Sequence, residues 1–216
     1  MNNYRLLVIP VVIGIVAGLF LSSISSETKD SNEVKLTPNA LIENGSPILG
    51  DESAPITILE WGDYQCTFCY KFHHSSFEVI NSEYIQTGKV RLVFKDFPLN
   101  GPDSVLAAEA AYCAEDQGKY WEYHSEIYAN WEGERTGWIT SKSLNGFTES
   151  VGLDIQKFNS CLNEHKYLNR VLELERFGNE IGIRATPTFL IFDDKKVIKI
   201  EGNQPIDVFR KVIEDF

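Results

Sequence analysis

The chain has 216 residues, of which 43% are hydrophobic and 12% aromatic, and this composition suits one folded domain and excludes global disorder. Its formal net charge of −11 argues against nucleic acid as a partner, because a phosphate backbone would repel such a chain. Four cysteines are present, an even number that is compatible with two disulfides.

The first predicted element is an apolar run without a charged residue, residues 6–24, close to the roughly 20 residues that a helix needs to cross a membrane. Arg5 precedes the run, which favours a short cytoplasmic N-terminus and an exported remainder. We therefore expect residues 1–25 to form an N-terminal transmembrane helix, giving a single-pass cell-membrane protein with an extracytoplasmic domain. A signal segment that is cleaved, giving a secreted or periplasmic protein, is the main alternative, and a buried core helix is a third.

Residues 26–50 are polar and contain Pro38, Gly45 and Pro47, a pattern typical of a tether. A domain is predicted over residues 51–216. It opens with a buried strand at residues 56–61, a helix over about residues 66–85 and a second strand at residues 90–94.

A helical block follows, which we interpret as an insertion over about residues 103–165. Asp103 and Asp154 are candidate N-caps of two of its helices. Between them, aromatic residues from Tyr120 to Trp131 repeat at helical spacing, a pattern more typical of packing than of a cofactor site.

The chain ends with a helix near residues 168–175, two strands at residues 188–192 and 197–200 joined by a tight turn, and a helix from Pro205. The order of elements predicts an α/β fold, with one mixed sheet flanked by helices and carrying the all-helical insertion.

Two cysteines, Cys66 and Cys69, lie at the junction of the first strand and its helix. Three positions apart on a first helical turn, the thiols face the same side and can close a reversible disulfide. The free N–H groups and the positive dipole end of the helix stabilise a thiolate on Cys66. Cys66 is therefore predicted to be the exposed nucleophile, and Cys69 the less accessible resolving thiol.

Two structural alternatives remain for this pair. Cys66 and Cys69 could form half of a zinc site with His73 or His74, but a structural zinc site normally needs four ligands and the sequence has no second pair of this spacing. They could also form a permanent disulfide, although so short a loop contributes little to stability. We expect no metal and no cofactor, and we interpret the two histidines as ordinary helix residues, one facing out and one near the edge of the site.

The segment Glu60-Trp61-Gly62-Asp63-Tyr64-Gln65-Cys66-Thr67-Phe68-Cys69-Tyr70-Lys71-Phe72-His73 resembles the active-site segment of DsbA-type proteins of the thioredoxin superfamily. The resemblance covers about residues 50–216 and implies a thioredoxin-like fold. It also implies that Glu60, six positions before the nucleophile, takes and returns the proton of Cys69. The alternative for Glu60 is a partly exposed carboxylate at the end of the strand.

The second matching element is Ala185-Thr186-Pro187-Thr188, just before a strand. The resemblance implies that Pro187 is a cis-proline packed against the cysteine pair and that Thr186 offers backbone groups to a substrate; by spacing alone, Pro187 could be a trans turn residue. Thr67 and Phe68, next to the nucleophile, are also expected to contact substrate. They depart from the Pro-His of the best-known oxidase, which leaves the redox poise open.

Cys113 and Cys161 fall on the apolar faces of two predicted helices of the insertion. Related DsbA-like proteins often carry a second disulfide there, so the resemblance implies a structural Cys113–Cys161 disulfide. Two buried free thiols acting as small hydrophobes are the alternative.

These features predict a thiol–disulfide oxidoreductase that exchanges disulfides with thiol-containing exported proteins, acting as a dithiol oxidase. The family implies a membrane partner that reoxidises Cys66 and Cys69. A disulfide reductase or isomerase is an alternative direction, and a chaperone-like module that binds unfolded exported chains is an alternative class.

Overall fold

The computed structural model describes residues 37–216, which form a mixed four-stranded sheet flanked by helices. The strands are β1 (Ile56–Gly62), β2 (Val90–Asp96), β3 (Thr188–Phe192) and β4 (Val197–Glu201). The helices are α1 (Pro38–Ile42), α2 (Thr67–His73), α3 (Ser76–Ile80), α4 (Pro102–Glu115), α5 (Tyr120–Ala129), α6 (Ser141–Ser150), α7 (Ile155–Asn163), α8 (Leu168–Glu180) and α9 (Ile206–Glu214). The sheet order is β2-β1-β3-β4, with β1 and β2 parallel and the other pairs antiparallel. The predicted mixed sheet flanked by helices is confirmed.

The central strand β1 is buried along its whole length, as its apolar sequence indicates. Because side chains alternate along a strand, Ile58 and Glu60 lie on one face, while Leu59 and Trp61 join the core on the other. On that second face α8 comes close to the sheet. A Cβ on Gly178 would lie 2.8 Å from Nε1 of Trp61, so glycine permits the close approach.

The single helix predicted over residues 66–85 is wrong: α2 ends at His73, and α3 and a π-helical turn (Asn81–Ile85) follow. Two serine hydroxyls at the break bond to backbone carbonyls, Ser75 to Lys71 at 2.6 Å and Ser76 to Gln204 at 3.1 Å. Serine side chains compete in this way with helical hydrogen bonds, which accounts for the break.

Helices α4 to α7 form the helical insertion. Asp154 caps α7 as predicted, with its carboxylate accepting the N–H groups of Gln156 and Lys157. The prediction for Asp103 is wrong, because α4 begins at Pro102, with Gly101 as its N-cap residue, and Asp103 lies in the first turn. Proline suits that first position because its missing N–H would have no helical partner there.

Residues 37–50, within the predicted tether, pack onto the sheet. Leu41 of α1 is buried in the core beside Leu59 and Trp61, and Leu49 forms a β-bridge with Leu92. The packed structure thus begins before residue 51, where the sequence placed the start of the domain. Among residues 37–216, no helix is long and apolar enough to cross a membrane, and the predicted anchor at residues 1–25 lies outside the described residues.

Candidate active site

Cys66 and Cys69 lie at the junction of β1 and α2, and both are free thiols. Cys66 is 5% exposed and Cys69 is fully buried, so Cys66 is the more accessible of the two, but the prediction that it is exposed is wrong. Cys66 is the N-cap residue of α2, with extended backbone angles, and its Sγ accepts the Cys69 N–H at 3.4 Å. A sulfur at the N-cap position accepts a hydrogen bond from one of the backbone N–H groups that have no partner within the first helical turn. The structure therefore shows the dithiol form of the pair.

The two thiols have opposite acidities. The pKa of Cys66 is lowered from 9.0 to about 7, chiefly by a hydrogen bond from the Cys69 side chain, with the Thr186 side chain and the N–H groups of Cys69 and Phe68 adding to it against burial. Burial raises the pKa of Cys69 well above its usual value, and the negative charges of Cys66 and Glu60 add to this shift. Cys66 is thus the group that becomes a thiolate at neutral pH, as a nucleophile and a good leaving group must.

The Thr186–Pro187 element faces the cysteine pair from β3. The Thr186–Pro187 peptide bond is cis, and the Cys66 thiol donates a hydrogen bond to the Thr186 carbonyl at 3.4 Å. The pairing of β3 with β1 brings these residues together, although 120 positions separate them in the chain. The structure thereby joins the two sequence motifs in one site.

Thr67 and Phe68 form the outer rim of the site. The Phe68 side chain is 56% exposed, although it is a large apolar group, and the Lys71 ammonium lies 5.4 Å from its ring centroid. Thr67 is half-buried, and its N–H is bonded to Glu134 at 2.8 Å. An exposed aromatic ring next to a nucleophile offers a contact surface to an incoming chain.

Glu60 is fully buried, so it is not a partly exposed carboxylate at the end of the strand. Among the described residues, neither of its side-chain oxygens has a hydrogen-bond partner. The His73 imidazole lies close to it, with Nε2 3.4 Å from Oε1 of Glu60. Glu60 acts on the acidity of Cys69, as described above, so its charge is felt at the resolving thiol.

His73 lies at the site itself, whereas the sequence predicted only an ordinary helix residue. Its neighbour His74 is exposed and bonds through Nδ1 to the Tyr70 carbonyl, whereas His73 is buried against Glu60 and stacks on Tyr128 with ring centroids 4.1 Å apart. A helical spacing of four places His73 on the face of Cys69, one turn further along. That spacing is the signal by which the sequence alone could have identified it.

A loop of the insertion also reaches the active-site segment. The Trp131 indole donates to the Gln65 carbonyl at 3.0 Å, the Arg135 N–H donates to the Gln65 side chain at 2.9 Å, and Glu134 accepts the Thr67 N–H. Trp131 lies past the end of α5, outside the helical stripe in which the sequence placed it. These partners lie 66 to 70 positions apart in the chain, and no local pattern signals them.

Cys113 of α4 and Cys161 of α7 are joined by a disulfide across 48 positions, within the core of the insertion. Within residues 37–216, no group of three or more His, Cys, Asp or Glu side chains is arranged to hold a metal ion. The four cysteines thus form one free thiol pair, Cys66 and Cys69, and one disulfide.

The chain shares sequence and fold with several bacterial proteins. A family model described as Thioredoxin matches residues 43–215. The disulfide bond formation protein D of Bacillus subtilis is 29% identical over 158 residues, which cover 72% of this chain and 70% of that protein. Oxidised BdbD from Bacillus subtilis has a TM-score of 0.72 at 26% identity, covering 81% of this chain and 93% of that one. The alpha-DsbA1 structure from Wolbachia pipientis has a TM-score of 0.71 at 29% identity, covering 83% of this chain and 92% of that one.

Proposed function

Because the chain belongs to the thioredoxin family, as a DsbA-like thiol–disulfide oxidoreductase, we propose that it works as a dithiol oxidase of exported proteins. The observation that carries this proposal is the contrast between the two thiols. Cys66 has a lowered pKa and Cys69 a raised one, so Cys66 is the thiol that the reduced enzyme holds as a thiolate and the group that leaves readily from a mixed disulfide with substrate.

In the oxidising direction, a substrate thiolate attacks Sγ of Cys66 in the Cys66–Cys69 disulfide. Cys69 leaves and takes up a proton, and a mixed disulfide joins Cys66 to the substrate. A second substrate thiolate then attacks the substrate sulfur of that mixed bond, and Cys66 leaves as a thiolate. The substrate has lost two electrons and the enzyme has gained them, so an oxidant must restore the disulfide.

We assign the remaining site residues by their positions. Glu60 exchanges the proton of Cys69, because it is the carboxylate whose charge acts on that thiol. Thr186 and Pro187 line the substrate path beside Cys66, and the half-buried Thr67 and the exposed Phe68 form its rim. A substrate chain laid against the Thr186 backbone would present its thiol to Cys66.

The partners and the location follow from the relatives and from the N-terminal sequence. The Bacillus subtilis relative is named as a disulfide bond formation protein, which supports thiol-containing exported proteins as substrates and a redox partner that reoxidises the pair. The apolar run at residues 6–24 supports an N-terminal membrane anchor that leaves the catalytic domain outside the cell membrane.

A disulfide reductase or isomerase is the second candidate, and the acidity of Cys66 favours it. The pKa of Cys66, about 7, is close to that of the nucleophilic cysteine of thioredoxin, about 7, and well above that of DsbA, about 3.5. A thiolate that is less stabilised makes the disulfide a weaker oxidant.

The reduction potential of the Cys66–Cys69 pair separates the two directions. Full-length protein is equilibrated in glutathione buffers, and the free thiols are then counted by alkylation. A potential near about −120 mV supports the oxidase, whereas one near about −270 mV assigns the protein as a reductase. If the pair does not exchange with glutathione at all, both the oxidase and the reductase assignments are wrong. If the Cys66→Ser variant also still binds unfolded chains, the protein is a chaperone-like module.

A further inference from the structure

His73 and Glu60 form an isolated buried pair beneath the cysteines. Glu60 is fully buried and His73 is 7% exposed, and within the described residues His73 is the only ion-pair partner of Glu60. Neither the Glu60 oxygens nor Nε2 of His73 has a hydrogen-bond partner among the described residues, and the 3.4 Å approach of Nε2 to Oε1 is a close contact between the two groups. A buried carboxylate without donors is costly, so the contact with imidazole is the main polar stabilisation that this carboxylate has.

The groups that face His73 from α5 and α3 carry no charge. Helix α5 presents Tyr128, stacked on His73, and His124, with ring centroids 4.8 Å from His73, while α3 presents the uncharged Phe77. Burial holds the pKa of His124 well below its usual value, and His73 adds to the shift, so His124 is neutral. Burial also raises the pKa of Tyr128, which keeps its hydroxyl protonated.

The chemistry of Cys69 requires a proton acceptor in this place. Cys69 is fully buried, and its thiol must lose a proton before it can attack the mixed disulfide on Cys66. A carboxylate next to the thiol cannot keep its own charge cheaply while a thiolate forms beside it. The proton therefore moves to Glu60, and a second acceptor further from the sulfur allows Glu60 to regain its charge.

We propose that His73 is a positioning residue that holds the Glu60 carboxylate and accepts and returns its proton during the Cys69 step. The Cys69 proton passes to Glu60, the Cys69 thiolate attacks Sγ of Cys66, the bond between Cys66 and the substrate sulfur breaks, and the substrate leaves as a thiolate. Once the Cys69 thiolate has been consumed, the proton passes from Oε1 of Glu60 to Nε2 of His73. The reverse transfers supply the proton when Cys69 is the leaving group. This role rests on the thiol–disulfide exchange proposed above.

The test uses the reduced full-length protein mixed with an aromatic disulfide, dithiobis-nitrobenzoate, which releases a coloured thiolate at each step. The first, bimolecular release reports the attack by Cys66, and the second, unimolecular release reports the attack by Cys69. We expect His73→Gln to slow the second release by at least about tenfold near neutral pH, short of the roughly 10²–10⁴-fold typical of direct general acid–base groups. In the variant, the second rate should keep rising with pH beyond the point where the unaltered protein levels off.

His74→Gln is the matched control, because it removes the adjacent, exposed histidine of the same helix. It should leave both releases unchanged. His73→Phe keeps an aromatic ring against Tyr128 without a titrating group, so it should reproduce the slow second release if His73→Gln fails to fold. An unchanged first release establishes in each variant that Cys66 and the fold are intact.

The outcomes separate this inference from the function on which it rests. A second release whose rate and pH profile are the same in His73→Gln, in His73→Phe and in the unaltered protein overturns the role of His73 and leaves the oxidoreductase assignment untouched. Slowing of both releases to the same degree also overturns it, because the effect would then be structural. If the unaltered protein shows no first release, the proposed function itself fails.

Discussion

The Glu134 carboxylate accepts the backbone N–H of Thr67 at 2.8 Å, so an acidic side chain from the helical insertion caps the first turn of the active-site helix. The amide groups of that turn are also the donors that stabilise a thiolate on Cys66. Two negative charges thus compete for the same positive helix end. We therefore expect the Glu134 charge to oppose the formation of a thiolate on Cys66.

Replacing Glu134 by Gln should lower the pKa of Cys66 and make the disulfide more oxidising. The amide oxygen can still accept the Thr67 N–H, while the competing charge is gone. Charges at exposed helix ends contribute about 0.3–1 kcal/mol, which corresponds to a shift of roughly 0.2–0.7 pKa units. The ultraviolet absorbance of the thiolate, followed through a pH titration, measures the shift. Glu132→Gln, an exposed carboxylate of the same loop, should change nothing; a raised pKa in Glu134→Gln would contradict the argument.

The acidity of Cys66 predicts the pH dependence of both its reactivity and the stability of the reduced protein. Alkylation of Cys66 should accelerate with an inflection near pH 7, where the pKa lies. Because the folded pKa is below the unfolded value of 9.0, the unfolded state binds more protons between these values. The free energy of unfolding should rise by about 2 kcal/mol between pH 7 and 9 and lose this gain as the pH falls through 7. Denaturant titrations of reduced protein and of Cys66→Ser, whose stability should lack this rise, measure it.

The cysteine pair and the Thr186–Pro187 element could be found from the sequence because each is a short motif next to a predicted strand, the pair after β1 and the element before β3. The contacts that tune them could not. Glu60 and His73 meet only because β1 and α2 fold onto each other, and Glu134 reaches Thr67 from a loop 67 positions away. The end of α2 at His73 could not be predicted either. The Ser76 hydroxyl, next to the break between α2 and α3, donates to the carbonyl of Gln204, which is far along the chain.

Removing the Cys113–Cys161 disulfide should destabilise the protein and leave its redox chemistry in place. The disulfide closes a loop of 48 positions, which in the chain-entropy model contributes roughly 4 kcal/mol of stability. It lies within the core of the insertion, so the double replacement by Ala should lower the melting temperature without changing the Cys66 pKa. Thermal melts measure the melting temperature, and thiolate titrations measure the Cys66 pKa. A double variant as stable as the unaltered protein would show that the disulfide does not constrain the unfolded chain.

The charged carboxylate of Asp96, at the end of β2, should lower the free energy of unfolding at neutral and higher pH. Its carboxylate is buried, and burial raises its pKa from 3.8 to about 7 against a smaller opposing effect of the Tyr112 hydroxyl. Between these values the folded state binds the extra proton, so stability falls as pH rises from about 4 to 7. Asp96→Asn removes the charge, and we expect it to raise the free energy of unfolding at pH 8 by about 1–3 kcal/mol, the gain being partly offset by the buried amide. Denaturant titrations across this range should show the fall in stability with pH reduced in Asp96→Asn and retained in the exposed control Asp194→Asn. A variant that is less stable than the unaltered protein at pH 8 would mean that the charged carboxylate has a stabilising partner after all.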